Sequence, residues 1–338
     1  MAGKRERRTP SRETTISDIA REAGVSKATV SRVMNGVQTV NEEIAERVRG
    51  AVRDLGYTRS ETARSLSLGV SRTIGVVVPD LANPMFHQVL HGLHRAAERD
   101  GYRVLVADTL ENSEGEAAVT LDIRNRTDAI ALFAPRMTRE ELIDLLPRVH
   151  PVAVFNRTTG ERAAAVMVDY EAGVRELAEH LVSLGHTRIA YLAGPPESRS
   201  NWARQRGLEH VRHAHADVRI DELPCGHAFE DGHDAWPAVR DTGATAAIAF
   251  NDVVALGLLG RLTEEGVRVP QDLSVAGFDD IPYSQFSSPT LTTMTSRLGD
   301  IGARTWQALR AEMEGGADRT VVTFAPELAR RGSTGERP

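Results

Sequence analysis

Two patterns of apolar and polar residues divide the chain. Between residues 15 and 57, apolar side chains recur at helical spacing in three short stretches. From residue 73 onward, continuous apolar runs alternate with amphipathic stretches, a pattern typical of parallel strands that helices cover on both faces. The sequence therefore predicts a small helical N-terminal part and a larger α/β part.

The first two helices are predicted to form a helix-turn-helix. Apolar residues recur at helical spacing over residues 16–23, and Ser17 is the expected N-cap. Gly24 follows, and glycine readily takes the left-handed backbone conformation that such a turn requires. Ser26 is then expected to cap a second helix over Lys27–Met34. The alternative is an ordinary small helical hairpin with no role in recognition.

The second helix has one face suited to packing and one suited to reading DNA. Val30, Val33 and Met34 fall on the packing side. The opposite arc contains Lys27, Ala28, Ser31, Arg32 and Asn35. Lysine and arginine donors suit guanine O6 and N7, an alanine methyl suits the thymine methyl, and hydroxyls suit phosphates. This arc is therefore the candidate reading face.

A third helix is predicted between a cap at Asn41 and a stop at Gly56. Its apolar stripe consists of Ile44, Val48, Val52 and Leu55. Residues 14–59 thus form a three-helix headpiece. Residues 1–13 are a basic tail that is expected to be disordered.

Charge and cysteine content narrow the class of protein. Residues 1–59 contain 12 Lys or Arg and 8 Asp or Glu, whereas the remaining residues contain 29 and 39. A basic end on an acidic body favours contact with a phosphate backbone at that end alone. The single cysteine, Cys225, excludes a disulfide framework, and no apolar run suggests a signal peptide or a membrane span. A cytoplasmic protein without membrane contact is expected.

Seven motifs occur in order along the chain. They are TxxDIAxxAGVSxxTVSRVxN at 15–35, LGY at 55–57, ARSL at 63–66, IGVVVPDLxNPxF at 74–86, LGH at 184–186, NDxxALG at 251–257 and GFDD at 277–280. Together they resemble the LacI/GalR (lactose-repressor) family of bacterial regulators. The resemblance covers about residues 15–331, and seven ordered motifs are far more specific than any one of them.

The resemblance implies a domain organisation that the hydrophobic pattern alone would not reveal. It implies a hinge helix within a linker at 60–72 and a body at 73–331 of two doubly wound lobes, like those of periplasmic binding proteins. Lobe 1 is expected at about 73–158 and 290–317, and lobe 2 at about 159–289 and 318–331. The chain is expected to cross between the lobes near Thr158, Pro289 and Asp318.

The resemblance also extends the set of expected DNA contacts into the hinge. Leu66 matches a leucine that wedges into the minor groove, where an apolar side chain can unstack a base step. The full set is Thr15, Ser26, Lys27, Ala28, Thr29, Ser31, Arg32, Asn35, Tyr57, Ala63 and Leu66. The segment just before the hinge departs from the family pattern, because Arg59-Ser60 stands where Pro-Asn is common. This departure affects the expected start of the hinge helix but not its existence. The alternative for Leu66 is a linker residue that packs on its own headpiece.

In the body, loops after the predicted strands are the expected ligand site, because ligands of open α/β sheets bind beyond the carboxyl ends of strands. The strands are predicted near 74–78, 103–107, 129–133, 152–155, 189–193, 246–250 and 274–277, and helices near 84–99, 173–184 and 253–265. Effector contacts implied by the resemblance are Met85, Phe86, Asn156, Arg204, Asn251 and Asp279.

Arg204 is the strongest candidate among these, because a guanidinium with a facing carboxylate and amide can hold vicinal hydroxyls. A sugar or another hydroxyl-rich metabolite would fit. The alternative is an interlobe salt bridge between Arg204 and Asp279. His227 stands at a position where some relatives have a stacking aromatic, and Trp202 is a possible substitute for it.

Two histidine groups have spacings that metal ligands can show, but solvated or interface histidines are the simpler interpretation. They are His87, His91 and His94, and His210, His213 and His215 with Cys225 and His227. The sequence has no phosphate-binding loop, no serine elbow and no catalytic constellation. Neither an enzyme nor a bound cofactor or metal is expected.

Taken with the resemblance, these features predict a ligand-responsive transcriptional regulator. It is expected to act as a repressor of genes for the uptake or catabolism of a sugar or another small metabolite. It would bind double-stranded operator DNA as a homodimer, and an effector between the lobes would control hinge folding. The alternatives are a corepressor-dependent regulator of biosynthesis, a solute-binding protein and an enzyme with a Rossmann-like cleft.

Overall fold

The computed structural model describes residues 14–34, 40–57, 70–316, 319 and 321–337. The chain divides into two compact units at Ser71, the headpiece and the body. The predicted tail at 1–13, most of the predicted hinge, and the expected DNA contacts Asn35, Ala63 and Leu66 lie outside the described residues.

The headpiece contains the predicted helix-turn-helix and the predicted third helix. Its helices are α1 (Ile16–Glu22), α2 (Lys27–Met34) and α3 (Glu42–Asp54). Gly24 has a φ of 63°, so the turn between α1 and α2 uses the left-handed conformation that only glycine adopts without strain. A small core joins the three helices through the buried side chains of Ile19, Ala20, Ala23, Val30, Val48 and Ala51.

Two of the three predicted helix caps are confirmed. The hydroxyl of Ser26 accepts a first-turn amide of α2 at 3.1 Å, and the side chain of Asn41 accepts one of α3 at 2.8 Å. Ser17 is wrong as the cap of α1, since it lies inside the first turn and Thr15 is the N-cap. The amide and hydroxyl of Thr15 donate to the Asp18 carboxylate at 3.0 and 2.7 Å, because an acidic residue three positions on can reach back to the cap.

The body consists of parallel strands alternating with helices, as the sequence predicts. The strands are β1 (Thr73–Val78), β2 (Arg103–Asp108), β3 (Ala129–Phe133), β4 (Val152–Phe155), β5 (Ala164–Val168), β6 (Arg188–Ala193), β7 (Arg219–Pro224), β8 (Ala246–Ala249), β9 (Ser274–Ala276), β10 (Thr293–Thr295), β11 (Val321–Phe324) and β12 (Glu327–Ala329). The helices are α4 (Pro84–Arg99), α5 (Ser113–Arg124), α6 (Arg139–Val149), α7 (Tyr170–Ser183), α8 (Arg199–Ala214), α9 (Phe229–Asp234), α10 (Trp236–Thr242), α11 (Asp252–Glu264) and α12 (Leu298–Met313).

Each lobe is organised around its own sheet. Lobe 1 has a six-stranded parallel sheet in the order β11-β5-β4-β3-β1-β2, and lobe 2 has a four-stranded parallel sheet in the order β7-β6-β8-β9. Strands β10 and β12 form a separate antiparallel pair. Helix α12 packs on α4 and on β3, β4 and β5, so it belongs to lobe 1 although it follows lobe 2 in the chain.

The chain crosses between the lobes later than the resemblance implies at all three expected places, near Thr158, Pro289 and Asp318. Strands β5 and β11 pair with each other inside the lobe 1 sheet, so the crossings lie at Asp169, after β10, and between β11 and β12. Paired strands from distant parts of the chain leave no local signal, which explains the difference. The body also continues past Arg331, because Ser333 accepts the amide of Val275 in β9 at 2.8 Å.

The strands that the sequence predicts are all present, and the structure adds β5, β7, β10, β11 and β12. Strand β7 reads RIDELP at the edge of its sheet, and Ile220 is its one buried residue, so it lacks a continuous apolar run. The three predicted body helices are α4, α7 and α11. No helix in the described part of the chain is both long and apolar enough to cross a membrane.

Candidate functional site

The predicted reading face of α2 is exposed. Lys27, Ala28 and Arg32 lie on the solvent side of the helix, opposite Val30, which is 0% exposed. The packing face is thus confirmed. Contact of the exposed face with DNA stays a prediction.

The other expected DNA contacts in the headpiece differ in environment. Thr15 and Ser26 are exposed caps, and the hydroxyl of Thr29 hydrogen-bonds that of Ser26 at 2.9 Å. Ser31 is half-buried. Tyr57 packs against the headpiece core, so part of its ring has a structural role.

A polar pocket lies between the two lobes of the body. Lobe 1 contributes Asn83, Met85, Phe86, Glu111, Ala134, Arg136 and Asn156, and lobe 2 contributes Tyr170, Ser200, Arg204, His227, Phe250 and Asp279. These residues lie at the N-termini of α4, α7 and α8 and in loops that follow strands, where α/β folds bind ligands. Five of the six expected effector contacts line this pocket.

Arg204 lies deep in the pocket with an incomplete set of partners. Its guanidinium carbon is 4.2–4.7 Å from the ring centroids of Tyr170, Phe250 and Phe278. The side chain is buried, and its Nε and Nη1 have no hydrogen-bond partner among the described residues. The nearest carboxylate oxygen, of Asp279, is 3.9 Å from Nη2, which is beyond hydrogen-bond range. Both residues belong to lobe 2, so the pair is not an interlobe salt bridge.

Asp279 is buried, and this changes its charge at neutral pH. Burial raises its pKa to about 8, although the Arg204 cation opposes the shift. Burial likewise raises the pKa of Asp252 to about 7. Asp252 holds the segment that carries Asp279, because its carboxylate accepts from Ile281 N at 3.0 Å, Ser284 Oγ at 2.6 Å and Thr293 Oγ1 at 2.5 Å.

The two expected asparagine contacts have different environments. Asn156 lines the pocket, and its Nδ2 donates to the Tyr170 hydroxyl at 2.6 Å, which fixes the ring that stacks on Arg204. Asn251 does not line it. Its Oδ1 caps α11 at 2.8 Å and its Nδ2 donates to the His227 carbonyl at 3.2 Å, so both ends of the side chain are engaged behind the pocket wall.

His227 is the side chain that reaches across the mouth of the pocket. Its Nε2 lies 3.7 Å from the Asp80 carboxylate of lobe 1. The turn that presents it is held by Asp231, whose carboxylate accepts the His227 amide at 2.8 Å. Trp202 is not a pocket residue, since it is 45% exposed on the outer face of α8 and stacks with neighbouring arginines.

Sequence reasoning missed one charged pair in the lining. The guanidinium of Arg136 donates from Nε and Nη2 to the Glu111 carboxylate at 2.5 and 2.8 Å. Glu111 follows β2 and Arg136 follows β3, so the strand-end rule applied to every strand would have found both. Tyr170 had no such signal, because it follows a lobe crossing that the sequence did not reveal.

The described residues contain no group of three or more His, Cys, Asp or Glu side chains placed to hold a metal ion. His87, His91 and His94 lie on the exposed side of α4. His215 contacts Glu179 at 2.8 Å, and this ion pair accounts for its position.

The two raised carboxyl pKa values predict that the folded body becomes less stable as pH rises. Between about pH 4 and 8, folded Asp279 and Asp252 keep protons that the unfolded chain releases, so the free energy of unfolding falls with increasing pH. Each unit of pKa difference corresponds to about 1.4 kcal/mol. Urea unfolding at pH 5.5, 7 and 8.5 would measure the slope.

Asp279→Asn should flatten this pH dependence, because an amide does not titrate. Asp217→Asn, at an exposed site remote from the pocket, is the matched control and should keep the wild-type slope. A wild-type slope in Asp279→Asn would show that this carboxyl is ionised in the folded state.

A helix-turn-helix unit joined to a two-lobed body with a polar pocket defines a DNA-binding regulator with a ligand-binding body. The family model for bacterial regulatory proteins of the lacI family matches residues 15–60, and that for the periplasmic binding protein-like domain matches residues 178–334. The chain is 32% identical to the transcriptional regulator GalS of Salmonella typhimurium, over 96% of this chain and 97% of that protein. It is 31% identical to the transcriptional repressor CytR of Escherichia coli, over 96% and 97%.

A solved structure supports the same assignment over the whole length. The lac repressor dimer bound to operator and the anti-inducer ONPF matches with a TM-score of 0.85 and 27% identity, and covers 96% of this chain and 100% of that one. The chain belongs to the lacI family of bacterial regulatory proteins. It is a DNA-binding transcriptional regulator and not an enzyme, because its relatives are regulators.

Proposed function

We propose that this regulator is a repressor that binds a partly palindromic operator as a homodimer and responds to a small metabolite in the interlobe pocket. The observation that carries the proposal is Arg204, two of whose buried nitrogens have no hydrogen-bond partner in the part of the chain that the structure describes and lie in a pocket that both lobes line. Burying a guanidinium whose N–H groups lack hydrogen-bond acceptors is energetically unfavourable, and a bound ligand can supply those acceptors. The relatives named as repressors support the direction of regulation.

The ligand class that fits these groups is a sugar or another hydroxyl-rich metabolite. Arg204 supplies donors, and the carboxyl of Asp279, 3.9 Å from Nη2, supplies an acceptor on the same side of the pocket. A donor and an acceptor at this spacing can bind neighbouring hydroxyls in a single orientation. Phe86 adds an apolar surface for the ring or carbon chain.

The pocket can control DNA binding because its walls come from both lobes. A ligand that contacts both lobes stabilises one interlobe arrangement over another, by about 1–3 kcal/mol in a typical allosteric case. The coupling is reciprocal, so operator DNA changes effector affinity by the same factor.

The proposed homodimer needs exposed apolar surface, and the body offers some. Leu110, Tyr283 and Phe286 are 56–85% exposed and supply apolar surface for the second subunit.

The first test is selection of fragmented genomic DNA by the purified full chain at physiological salt, followed by sequencing of the retained fragments. Enrichment of a few palindromic sites is the expected result, and the genes beside them would nominate the effector. Retention that falls steeply with salt and shows no sequence preference, with and without pooled metabolites, would contradict the proposal.

Arg32→Ala should weaken binding to a selected operator by about 1–3 kcal/mol while leaving the body intact, because it removes a donor from the reading face. Fluorescence anisotropy with the operator and with a scrambled duplex would measure the change. Arg240→Ala, an exposed arginine of the body, is the control and should bind as wild type. Unchanged operator affinity in Arg32→Ala would remove α2 as the reading helix.

A further inference from the structure

The N-termini of two long helices meet at the pocket from opposite lobes. Helices α4 and α8 have 16 residues each. The first turn of α4 contributes Met85 and Phe86 to the lining, and the first turn of α8 contributes Ser200. A helix N-terminus carries about half a positive charge from the aligned peptide dipoles. The pocket is therefore exposed to two positive dipole ends.

The chain leaves these two N-termini without the acidic residues that it places at other helices. The first turns of α4 and α8 contain no acidic residue. Those of α5, α6, α7, α11 and α12 each contain at least one, namely Glu114 and Glu116, Glu140 and Glu141, Glu171, Asp252, and Asp300. The first turns of α2 and α10 also lack an acidic residue, and the N-terminus of α7, which contributes Tyr170 to the pocket, carries Glu171. Two of the three helix N-termini at the pocket are therefore without a carboxylate in the first turn.

The charged side chains of the pocket add to this positive field. Arg204 lies one turn beyond Ser200 on α8, is 1% exposed, and has two nitrogens without a partner among the described residues. The Glu111 carboxylate is engaged by its bidentate pair with Arg136, so it does not serve as a counterion for Arg204. Burial raises the pKa of Asp279 to about 8, which weakens this carboxyl, 3.9 Å from Arg204 Nη2, as a counterion at neutral pH.

Two further arginines, Arg157 of lobe 1 and Arg199 of lobe 2, lie close to the pocket. Arg157 follows Asn156 in lobe 1 and is buried, with its Nη1 donating to the Pro135 carbonyl at 2.8 Å. Burial, together with the positive charge of Arg199 at the start of α8, lowers the pKa of Arg157 to about 10. Like charges from the two lobes thus lie near each other, and an anion would reduce their repulsion.

We propose that the effector carries an anionic group, a phosphate or a carboxylate, which binds Arg204 between the N-termini of α4 and α8. This inference rests on the proposed function of the pocket and narrows its ligand from hydroxyl-rich metabolites to sugar phosphates or sugar acids. The guanidinium supplies charge-assisted donors, the two dipoles supply the surrounding positive potential, and the protonated Asp279 carboxyl can donate a further hydrogen bond.

The experiment measures thermal unfolding of the full chain with inorganic phosphate as the minimal probe, against chloride at equal ionic strength. We expect phosphate at tens of millimolar to raise the Tm of the wild type by about 2–4 °C. Arg204→Gln should lose the shift. Arg206→Gln, two residues away on α8 with a 51% exposed side chain, is the control and should keep it.

Ser200→Asp provides a second variant that keeps Arg204 and the fold. An aspartate in the first turn suits the helix dipole, but it places a carboxylate at the site proposed for the anion. The phosphate shift should therefore disappear while the unliganded protein is as stable as wild type or more so. A phosphate shift of equal size in Arg204→Gln and Ser200→Asp, or no shift in the wild type, would overturn the proposal.

Titration calorimetry with three ligands separates the possible sources of the anion. D-glucose 6-phosphate, D-gluconate and D-glucose present a phosphate, a carboxylate and neither on similar carbon chains. Binding of either anion at least tenfold tighter than D-glucose supports the proposal and names the group. Equal or tighter binding of D-glucose overturns it. Operator selection is independent of this result, so enriched operators with no anion binding would refute only the ligand class.

Discussion

Val30→Asp is expected to abolish specific operator binding while the body stays folded. Val30 is 0% exposed in a core of a few small side chains, and a buried carboxylate without a partner costs roughly 3–5 kcal/mol. A three-helix unit this small has little stability in reserve. Operator anisotropy should show the loss of binding, and far-ultraviolet circular dichroism a loss of helix.

The tryptophans make this experiment specific to the headpiece. Trp202, Trp236 and Trp306 all lie in the body, so tryptophan fluorescence reports the unfolding of the body alone. Its urea midpoint should be the same in Val30→Asp and in the wild type. Val30→Ala, which shortens the side chain without adding charge, should keep measurable operator binding. Full operator affinity in Val30→Asp would contradict the placement of this side chain in the headpiece core.

Gly257→Ala is expected to destabilise the body by about 2–4 kcal/mol, a large effect for one methyl group. A Cβ at this position of α11 would lie 1.9 Å from the carbonyl oxygen of Phe229 and 3.0 Å from the amide nitrogen of His233. Both are backbone atoms of α9, so the two helices would have to separate. Helix α9 follows the turn that carries His227, and its displacement should also weaken effector binding.

Gly260→Ala, three residues along the same helix, is the matched control. A Cβ there meets no atom within 4 Å, and alanine favours the helix by about 0.5–1 kcal/mol over glycine. Urea unfolding followed by tryptophan fluorescence should therefore place the two variants on opposite sides of the wild type. Equal stability of both variants would mean that α9 and α11 are not in contact at Gly257.

The headpiece could be predicted almost completely because its signals are local. A glycine at the turn, a capping hydroxyl at Ser26 and an amide cap at Asn41 each act within three residues of their own position. The apolar runs of the body strands were equally visible. The error at Ser17 is of two residues, and it arose because Thr15 and Asp18 form the cap together.

The lobe boundaries and the partners within the pocket could not be predicted, because both depend on contacts between distant parts of the chain. Strand β11 joins lobe 1 by pairing with β5, more than 150 residues earlier. The resemblance named five residues that line the pocket, but it could not show that Asn251 would be engaged elsewhere or that Arg204 Nε and Nη1 would have no partner among the described residues. Those facts follow from packing in three dimensions and leave no periodic trace.

The pairing of β11 with β5 also bears on the order in which the protein is synthesised and folded. Lobe 1 begins at β1, yet its sheet and its supporting helix α12 are incomplete until residues 298–324 have left the ribosome. Lobe 2 strands β6–β9 emerge earlier as an uninterrupted segment. The sheet of lobe 1 is therefore begun before the sheet of lobe 2 and completed after it, and until then β5 presents an unpaired edge. A nascent chain arrested before residue 321 should depend on chaperones more than one arrested after it.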